Sequence, residues 1–259
     1  MIDIHCHPLA GLDDGAESFE ASIAMCQMAA ADGITHLVAT PHCDYTYAFK
    51  PEVNVEKIAE LQAAVGETPK LLPGCDFHLS YENLQQVLQN PGDFTLNRTS
   101  YLLVELSDQF IPDQLDRIFY EIQVAGLTPI ISHPERNPVC QRRSGLLHHW
   151  VTRGCLIQLT AQSYTGGFGS RAMRLAEHWL DRNLVHFFAS DAHDPRYRPP
   201  ILSVCYRKLA EANGQDRADL LLKKNPETVI NGKPLPPQPA PIEPEPGKRK
   251  RRWLSFFRR

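Results

Sequence analysis

Two histidines one residue apart, His5 and His7, open the chain. On an extended segment, side chains two apart share a face, so both imidazoles can reach one metal ion. The same kind of punctuation recurs downstream. The turn Gly11-Leu12-Asp13-Asp14-Gly15 offers a carboxylate, and Thr40-Pro41-His42, Gly74-Cys75-Asp76, Val104-Glu105, Ser132-His133-Pro134 and Ser190-Asp191-Ala192-His193 each add one or two donors. That is five histidines, three aspartates and one glutamate. Bare, such a crowd of carboxylates and imidazoles would repel and resist desolvation, and divalent cations resolve the conflict. Nine donors are too many for one ion and suit two or three that share bridging carboxylates. A nitrogen and oxygen set without thiolate fits manganese, iron, zinc or cobalt without choosing among them.

These donors need a scaffold that brings distant segments to one place. Strand-like apolar runs cover Ile2–His5, Ile34–Thr40, Leu71–Leu79, Tyr101–Leu106, Thr128–Ser132, Leu156–Thr160 and Leu184–Ser190. Helical patterns lie between and after them, at Ser18–Ala31, Val53–Val65, Tyr81–Gln89, Gln114–Ala125, Leu146–Arg153, Arg171–Arg182 and Ile201–Glu211. Strand–helix alternation at this spacing means βα units and a parallel sheet. Seven units in about 230 residues predict an α/β barrel rather than an open sheet. In such a barrel the strand ends that carry the donors meet on one rim, and all but one strand end carries a donor. The remaining histidines, His36, His78, His148, His149, His178 and His186, fall inside strands or helices and read as structural.

Composition excludes several alternatives. The chain of 259 residues is 42% hydrophobic and 22% charged, which suits one ordinary domain. No apolar run approaches the roughly 18 residues that span a bilayer, and the N-terminus has no signal-peptide pattern, so a cytoplasmic protein is expected. Seven cysteines, an odd number without a Cys-x-x-Cys pair, argue against a disulfide framework or a thiolate zinc site. No Gly-x-Gly-x-x-Gly turn or Walker loop supports a nucleotide fold. The net charge of −3 hides an asymmetry: residues 248–259, KRKRRWLSFFRR, hold seven basic side chains and no acidic one. The rest is strongly acidic, which speaks against nucleic acid as a partner. The domain is expected to span 1–232, followed by a spacer at 233–247 with seven prolines and then the tail. The tail reads as disordered in solution. Its basic block with Trp253, Leu254, Phe256 and Phe257 predicts peripheral contact with an anionic membrane.

Taken in order, MIDIHCHPLAGLDDGA, Val38–His42, Tyr101–Leu106, Ser132–Asn137 (SHPERN), Gln158–Ser163 and Ala189–His193 resemble the PHP superfamily of metal-dependent phosphoesterases. Within it they are most similar to the bacterial protein-tyrosine phosphatases of the CpsB/YwqE type, over about residues 1–232. The resemblance implies a distorted parallel (β/α)7-type PHP barrel with three metal ions, manganese first among the candidates. It places His5, His7 and Asp191 on one metal with a bridging acid, Glu105 and His133 on a second, and Asp14, His42 and His193 on a third. The family's bridging acid is usually Glu in a Gly-x-Glu context; here Asp76, one methylene shorter, takes that place. Arg136 and Arg198, three and five residues beyond ligand histidines, match the family's phosphate-binding arginines, and a guanidinium fork suits the oxygens of a phosphate monoester.

The implied activity is hydrolysis of phosphotyrosine in a protein, with a membrane-associated bacterial tyrosine kinase of capsule or exopolysaccharide synthesis as partner. No cysteine has Arg six residues later, so the Cys-x5-Arg route of thiol phosphatases is absent. Two other readings share the sequence: a small-molecule phosphatase such as one for histidinol phosphate, and a membrane-tethered regulatory module in which metals are structural.

Overall fold

The computed structural model describes residues 1–243, and the tail at 248–259 lies outside the described residues. Among the described residues nine strands form: β1 Ile2–Cys6, β2 His36–Ala39, β3 His42–Cys43, β4 Lys70–Pro73, β5 Asp76–His78, β6 Tyr101–Glu105, β7 Thr128–Ser132, β8 Leu156–Thr160 and β9 Phe187–Ala189. They build a three-stranded sheet, β1-β2-β4, and a six-stranded sheet, β3-β5-β6-β7-β8-β9. Every pairing is parallel. The two sheets close on each other as a seven-stave barrel, because two staves belong to both sheets. One runs as β2 and then β3, the other as β4 and then β5.

The step in each shared stave has a local cause. Pro41 separates β2 from β3 and has no N–H to give a ladder. Around it Thr40 N–H donates to Cys6 O at 2.8 Å and Asp76 N–H donates to Pro41 O at 3.1 Å, so the two sheets stay joined. Gly74 lies in the other step, where a Cβ would stand 2.7 Å from Val38 Cγ1. The run read from sequence as one strand, Leu71–Leu79, is therefore two strands in different sheets.

The last seam, between β9 and β1, is stitched by few bonds. Asp191 N–H donates to His5 O and His7 N–H to Ala192 O, both at 2.8 Å. The buried Asp3 carboxylate accepts Ser190 N–H at 3.0 Å. In β1 four residues, Asp3 to Cys6, oppose three in β2, Leu37 to Ala39, which is a bulge. It lets Ile4 pack in the inner apolar cluster while His5 turns to the rim.

Two apolar clusters hold the barrel. The inner one takes Ile2, Ile4, Val38, Leu72, Tyr101, Leu103, Ile130, Phe187 and Ala189 from the strands, closed by Leu96, Val229 and Ile230. The outer one packs alternate strand residues such as Leu37, Leu102, Ile131 and Phe188 against helical Met25, Leu61, Phe119 and Trp179. Helices Phe19–Ala31, Pro51–Val65, Leu115–Val124 and Gly169–Asp181 supply much of that layer. All seven cysteines are buried and unpaired. Residues 233–243 form no helix or strand. Leu235 packs on the inner cluster and Tyr101 OH donates to Lys233 O at 2.7 Å, so this segment crosses the barrel end where the strands begin.

Candidate metal centre

The opposite end gathers the donors. His5 leaves β1 and His7 follows it; His42 and Asp76 open β3 and β5; Glu105 closes β6; His133 follows β7; Asp191 and His193 follow β9. All nine side chains named from the sequence as ligands meet there. They fall into four overlapping groups whose donor atoms lie within 4.8 Å of one another: His7, Asp14, His42 and His193; His5, His7 and Asp76; His5, His133 and Asp191; His42, Asp76 and Glu105. The one stave of the seven without such a donor, β8, contributes Gln158, whose Oε1 lies 3.0 Å from His5 Nδ1.

The spacing suits cations. Two donors each about 2.1 Å from one tetrahedral ion stand about 3.4 Å apart. His5 Nε2 lies 3.4 Å from Asp76 Oδ2 and 3.3 Å from Asp191 Oδ1. Asp14 Oδ1 lies 3.3 Å from both His42 Nε2 and His193 Nε2. His133 Nε2 is 3.5 Å from Glu105 Oε1. His42 Nδ1 and both Asp76 oxygens are buried without a hydrogen bond, although His42 Nδ1 and Asp76 Oδ2 are 3.2 Å apart. Orphaned buried polar atoms aimed at a common point are what a metal site leaves when only protein atoms are considered. The shorter Asp76 side chain thus reaches both His5 and His42 from a fully buried position.

Electrostatics tell the same story. Burial opposes charge on His5, yet Asp76 and Asp191 outweigh it and hold His5 up to about 9. Burial likewise opposes charge on His42, and Asp14 and Asp76 push it up to about 12. Burial lowers His133 far below the usual range, with Arg136 adding to it, and takes His193 to about 4. Asp191 is held well below the carboxylate range: burial opposes its charge, but Arg136 and His5 win. Protons are drawn to one side of the cluster and expelled from the other, a field that cations would level.

Backbone strain accompanies the site. His133 and Asp191 have φ of +31° and +51°. Left-handed conformations cost non-glycine residues energy and persist where the surroundings over-determine them. The two arginines join at Asp191. Arg136 Nη2 lies 2.6 Å and Arg198 Nη2 2.7 Å from its Oδ2, and Arg198 also donates to its backbone carbonyl. Asp191 therefore turns Oδ1 to the histidines and Oδ2 to the arginines. The turn that returns Arg198 is built by Asp194, which accepts the N–H groups of Arg196, Tyr197 and Arg198.

Several residues here escape sequence reading. Asp13 Oδ2 accepts from His7 Nδ1 at 2.6 Å and from His42 N–H at 3.1 Å, so its neighbour Asp14 faces the cluster while Asp13 orients the imidazole behind it. The Asp13-Asp14 doublet was the available signal. His78, read as structural, ends β5 with Nδ1 3.7 Å from Glu105 Oε2, and that carboxylate raises its pKa. Phe168 lies under both guanidinium groups, and nothing in its glycine-rich surroundings marks it. None of the six set-aside histidines, His78 included, lies in the four donor groups.

A closed parallel barrel with such a rim of nitrogen and oxygen donors defines a protein of the barrel metallohydrolase class. Residues 1–231 match the family model for capsular polysaccharide synthesis, CpsB/CapC, and the chain belongs to that family. It is 33% identical over 261 residues to the tyrosine-protein phosphatase YwqE of Bacillus subtilis, covering 99% of this chain and 100% of the relative. It is 36% identical over 217 residues to a putative tyrosine-protein phosphatase CapC of Staphylococcus aureus, covering 81% and 84%. Among solved structures, one from work on YwqE of Bacillus subtilis and CpsB of Streptococcus pneumoniae, described as metal-dependent tyrosine phosphatases, superposes with a TM-score of 0.86 at 31% identity. That match covers 94% of this chain and all of the other. The phosphotriesterase homology protein of Escherichia coli, at 11% identity and TM-score 0.56, shares the fold. Among the described residues no helix is long and apolar enough to cross a membrane.

Proposed function

We propose that this chain is a metal-dependent protein-tyrosine phosphatase. The carrying observation is the pair Arg136 and Arg198 converging on Asp191 beside nine metal-type donors. Bound divalent cations would supply Lewis acidity to the phosphoryl group and acidify water. His5, His7, Asp14, His42, Asp76, Glu105, His133, Asp191 and His193 would hold them, three in number, with manganese first among manganese, iron, zinc and cobalt. Arg136 and Arg198 would donate to the non-bridging oxygens and steady charge as the bond to the leaving group breaks. A phenolate, from a phenol of pKa about 10, leaves far more readily than an alkoxide, so little proton donation is demanded. Thiol chemistry finds no support: burial raises six of the seven cysteines, with Cys26, Cys140 and Cys155 at about 12.

The substrate we assign is a phosphotyrosine protein, a membrane-associated bacterial tyrosine kinase of capsule or exopolysaccharide synthesis. Family membership and the phosphatase names of the relatives support it. The enzyme would work in the cytoplasm, with residues 248–259 touching the inner face of an anionic membrane.

The test is phosphate release by the manganese-loaded chain from a phosphotyrosine peptide and from histidinol phosphate. Release from the peptide is expected, abolished by His5→Ala and kept by Cys6→Ser. No release from the peptide at any metal loading would overturn the proposal, and release from histidinol phosphate alone would favour the small-molecule reading.

A further inference from the structure

Arg136 and Arg198 present a physical problem. Both guanidinium groups reach one oxygen, Asp191 Oδ2, at 2.6 and 2.7 Å, so two cations stand side by side in a half-buried place. Among the described residues Asp191 is the one carboxylate ion-paired with both guanidinium groups, and its other oxygen faces the histidines. The Nε atoms of both are buried without partners. Something else must keep the pair together and aimed at the site.

Phe168 meets that need. Arg136 Cζ lies 4.6 Å from its ring centroid and Arg198 Cζ 5.8 Å. An aromatic face attracts a cation at such distances, most strongly where water is scarce. One ring thus contacts both arginines that Asp191 also joins. The loop that carries Phe168 is shaped for it. Gly166 and Gly169 take φ of +99° and +85°, conformations open to glycine and costly for other residues. Gly167 N–H donates to Gln162 O at 2.7 Å, closing the turn.

The same loop is tied to both segments that bear the arginines. Gln162 Nε2 donates to Tyr197 O, the residue before Arg198, at 3.1 Å. Arg171 Nη2, on the helix that starts at Gly169, donates to Gln141 O at 3.2 Å, in the helix Pro138–Arg142 just beyond Arg136. A shift of either arginine segment would drag the Phe168 loop, and the reverse holds too.

We propose that Phe168 is a positioning residue that holds Arg136 and Arg198 as one preorganised phosphate-binding fork. This rests on reading the two arginines as phosphate ligands. Phe168 need not touch the reacting atoms. It lowers the mutual repulsion of the pair and removes the freedom each would otherwise lose on meeting an anion. The function would be expressed in affinity for the phosphoryl group rather than in metal content.

The test measures inorganic phosphate binding by the full-length, manganese-loaded chain, by titration calorimetry without any turnover. Phe168→Leu keeps bulk and removes the π face; Phe168→Tyr keeps the face. We expect Phe168→Leu to weaken phosphate binding about tenfold, within the range of one to two cation–π contacts. Phe168→Tyr should stay within about twofold, and bound metal and the unfolding midpoint should be unchanged in both. With a phosphotyrosine peptide, Phe168→Leu should raise KM more than it lowers kcat. Phosphate bound equally by Phe168→Leu and wild type would overturn the idea. So would an equal loss in the Leu and Tyr variants, or a loss matched by lost metal. Should Phe168→Leu fail to fold, Gln162→Leu decides: cutting the tie to Tyr197 should weaken phosphate binding several-fold, and no change would overturn the role. Normal phosphate binding without phosphotyrosine hydrolysis would refute the proposed activity and leave this inference standing.

Discussion

Replacing Asp13 by Asn should cripple metal binding although Asp13 stands in none of the donor groups. Its Oδ2 accepts from His7 Nδ1 at 2.6 Å and from His42 N–H at 3.1 Å, and its Oδ1 accepts Gly15 N–H at 2.9 Å. Three donors therefore converge on two oxygens. This arrangement puts the His7 proton on Nδ1 and leaves the Nε2 lone pair facing the cluster, where Asp191 Oδ1 lies 3.5 Å away. An amide cannot reproduce it. With its NH2 in the Oδ1 place it confronts Gly15 N–H; in the Oδ2 place it confronts His42 N–H and favours the other tautomer of His7, with a proton on Nε2. Partners that orient a metal-ligating histidine are worth about ten- to a hundredfold in metal affinity, or roughly 1.4–2.7 kcal/mol. Calorimetric titration of the metal-free protein with manganese would measure it, with circular dichroism to show that Asp13→Asn folds. A folded variant that binds manganese within about twofold of the wild type would refute the reasoning, because the carboxylate would then be a passive cap of the turn.

Two further expectations concern the scaffold. Gly74→Ala places a methyl 2.7 Å from Val38 Cγ1 and 3.1 Å from Leu96 Cδ2 and Thr40 Cγ2, so overpacking should cost about 1–3 kcal/mol in urea unfolding; a cost under about 0.5 kcal/mol would mean the strand step relaxes freely. Burial, with Arg217 nearby, lowers His186 to about 4, so its neutral ring is favoured by the fold. The unfolded chain titrates near 6.5, so this stability is complete above that pH and is lost as pH falls from 6.5 towards 4, by about 3 kcal/mol in all. His186→Gln should flatten the fall in unfolding free energy between pH 7 and 4.5, and parallel curves for variant and wild type would contradict it.

Much of the scaffold is legible in the sequence where pattern and packing agree. Thr128–Ser132, Leu156–Thr160 and helix Tyr81–Gln89 appear with the expected bounds, and other elements shift by a few residues. Each is a strongly periodic segment whose neighbours reinforce it. The break at Gly74-Cys75 is invisible because Leu71–Leu79 reads as a continuous apolar run; only the crowding around Gly74 by Val38 and Leu96 reveals it. The helices beyond Gln215 are also unmarked, since they are short and pass through a π-helical stretch at Leu220–Lys224. The donors stand out because carboxylates and imidazoles at apolar strand ends are conspicuous. Supporting groups do not: Gln158 is neutral, Asp13 sits beside a more obvious carboxylate, and Phe168 meets Arg136, 32 residues before it, and Arg198, 30 residues after it, through the tertiary fold alone.

The relation between core and rim explains why one architecture can hold so many charges. Read upward along the inward positions, apolar residues give way to small ones and then to donors. Val38 is followed by Thr40 and His42, Leu72 by Gly74 and Asp76, and Phe187 by Ala189 and Asp191. The apolar layer offers the donors no hydrogen bond, so none can relax downward. The small residues leave volume directly beneath them. A donor held above such a floor is committed to whatever occupies the rim, and with both carboxylate oxygens of Asp76 and His42 Nδ1 buried without a hydrogen bond, a positively charged occupant is what they favour. On the far side of the cluster, among the described residues, Arg136 and Arg198 engage one oxygen of Asp191 while the other faces inward. That division of a single carboxylate fixes the distance between the metal-type donors and the arginine pair proposed to bind phosphate. Its backbone strain at φ +51° is the local cost of holding both at once.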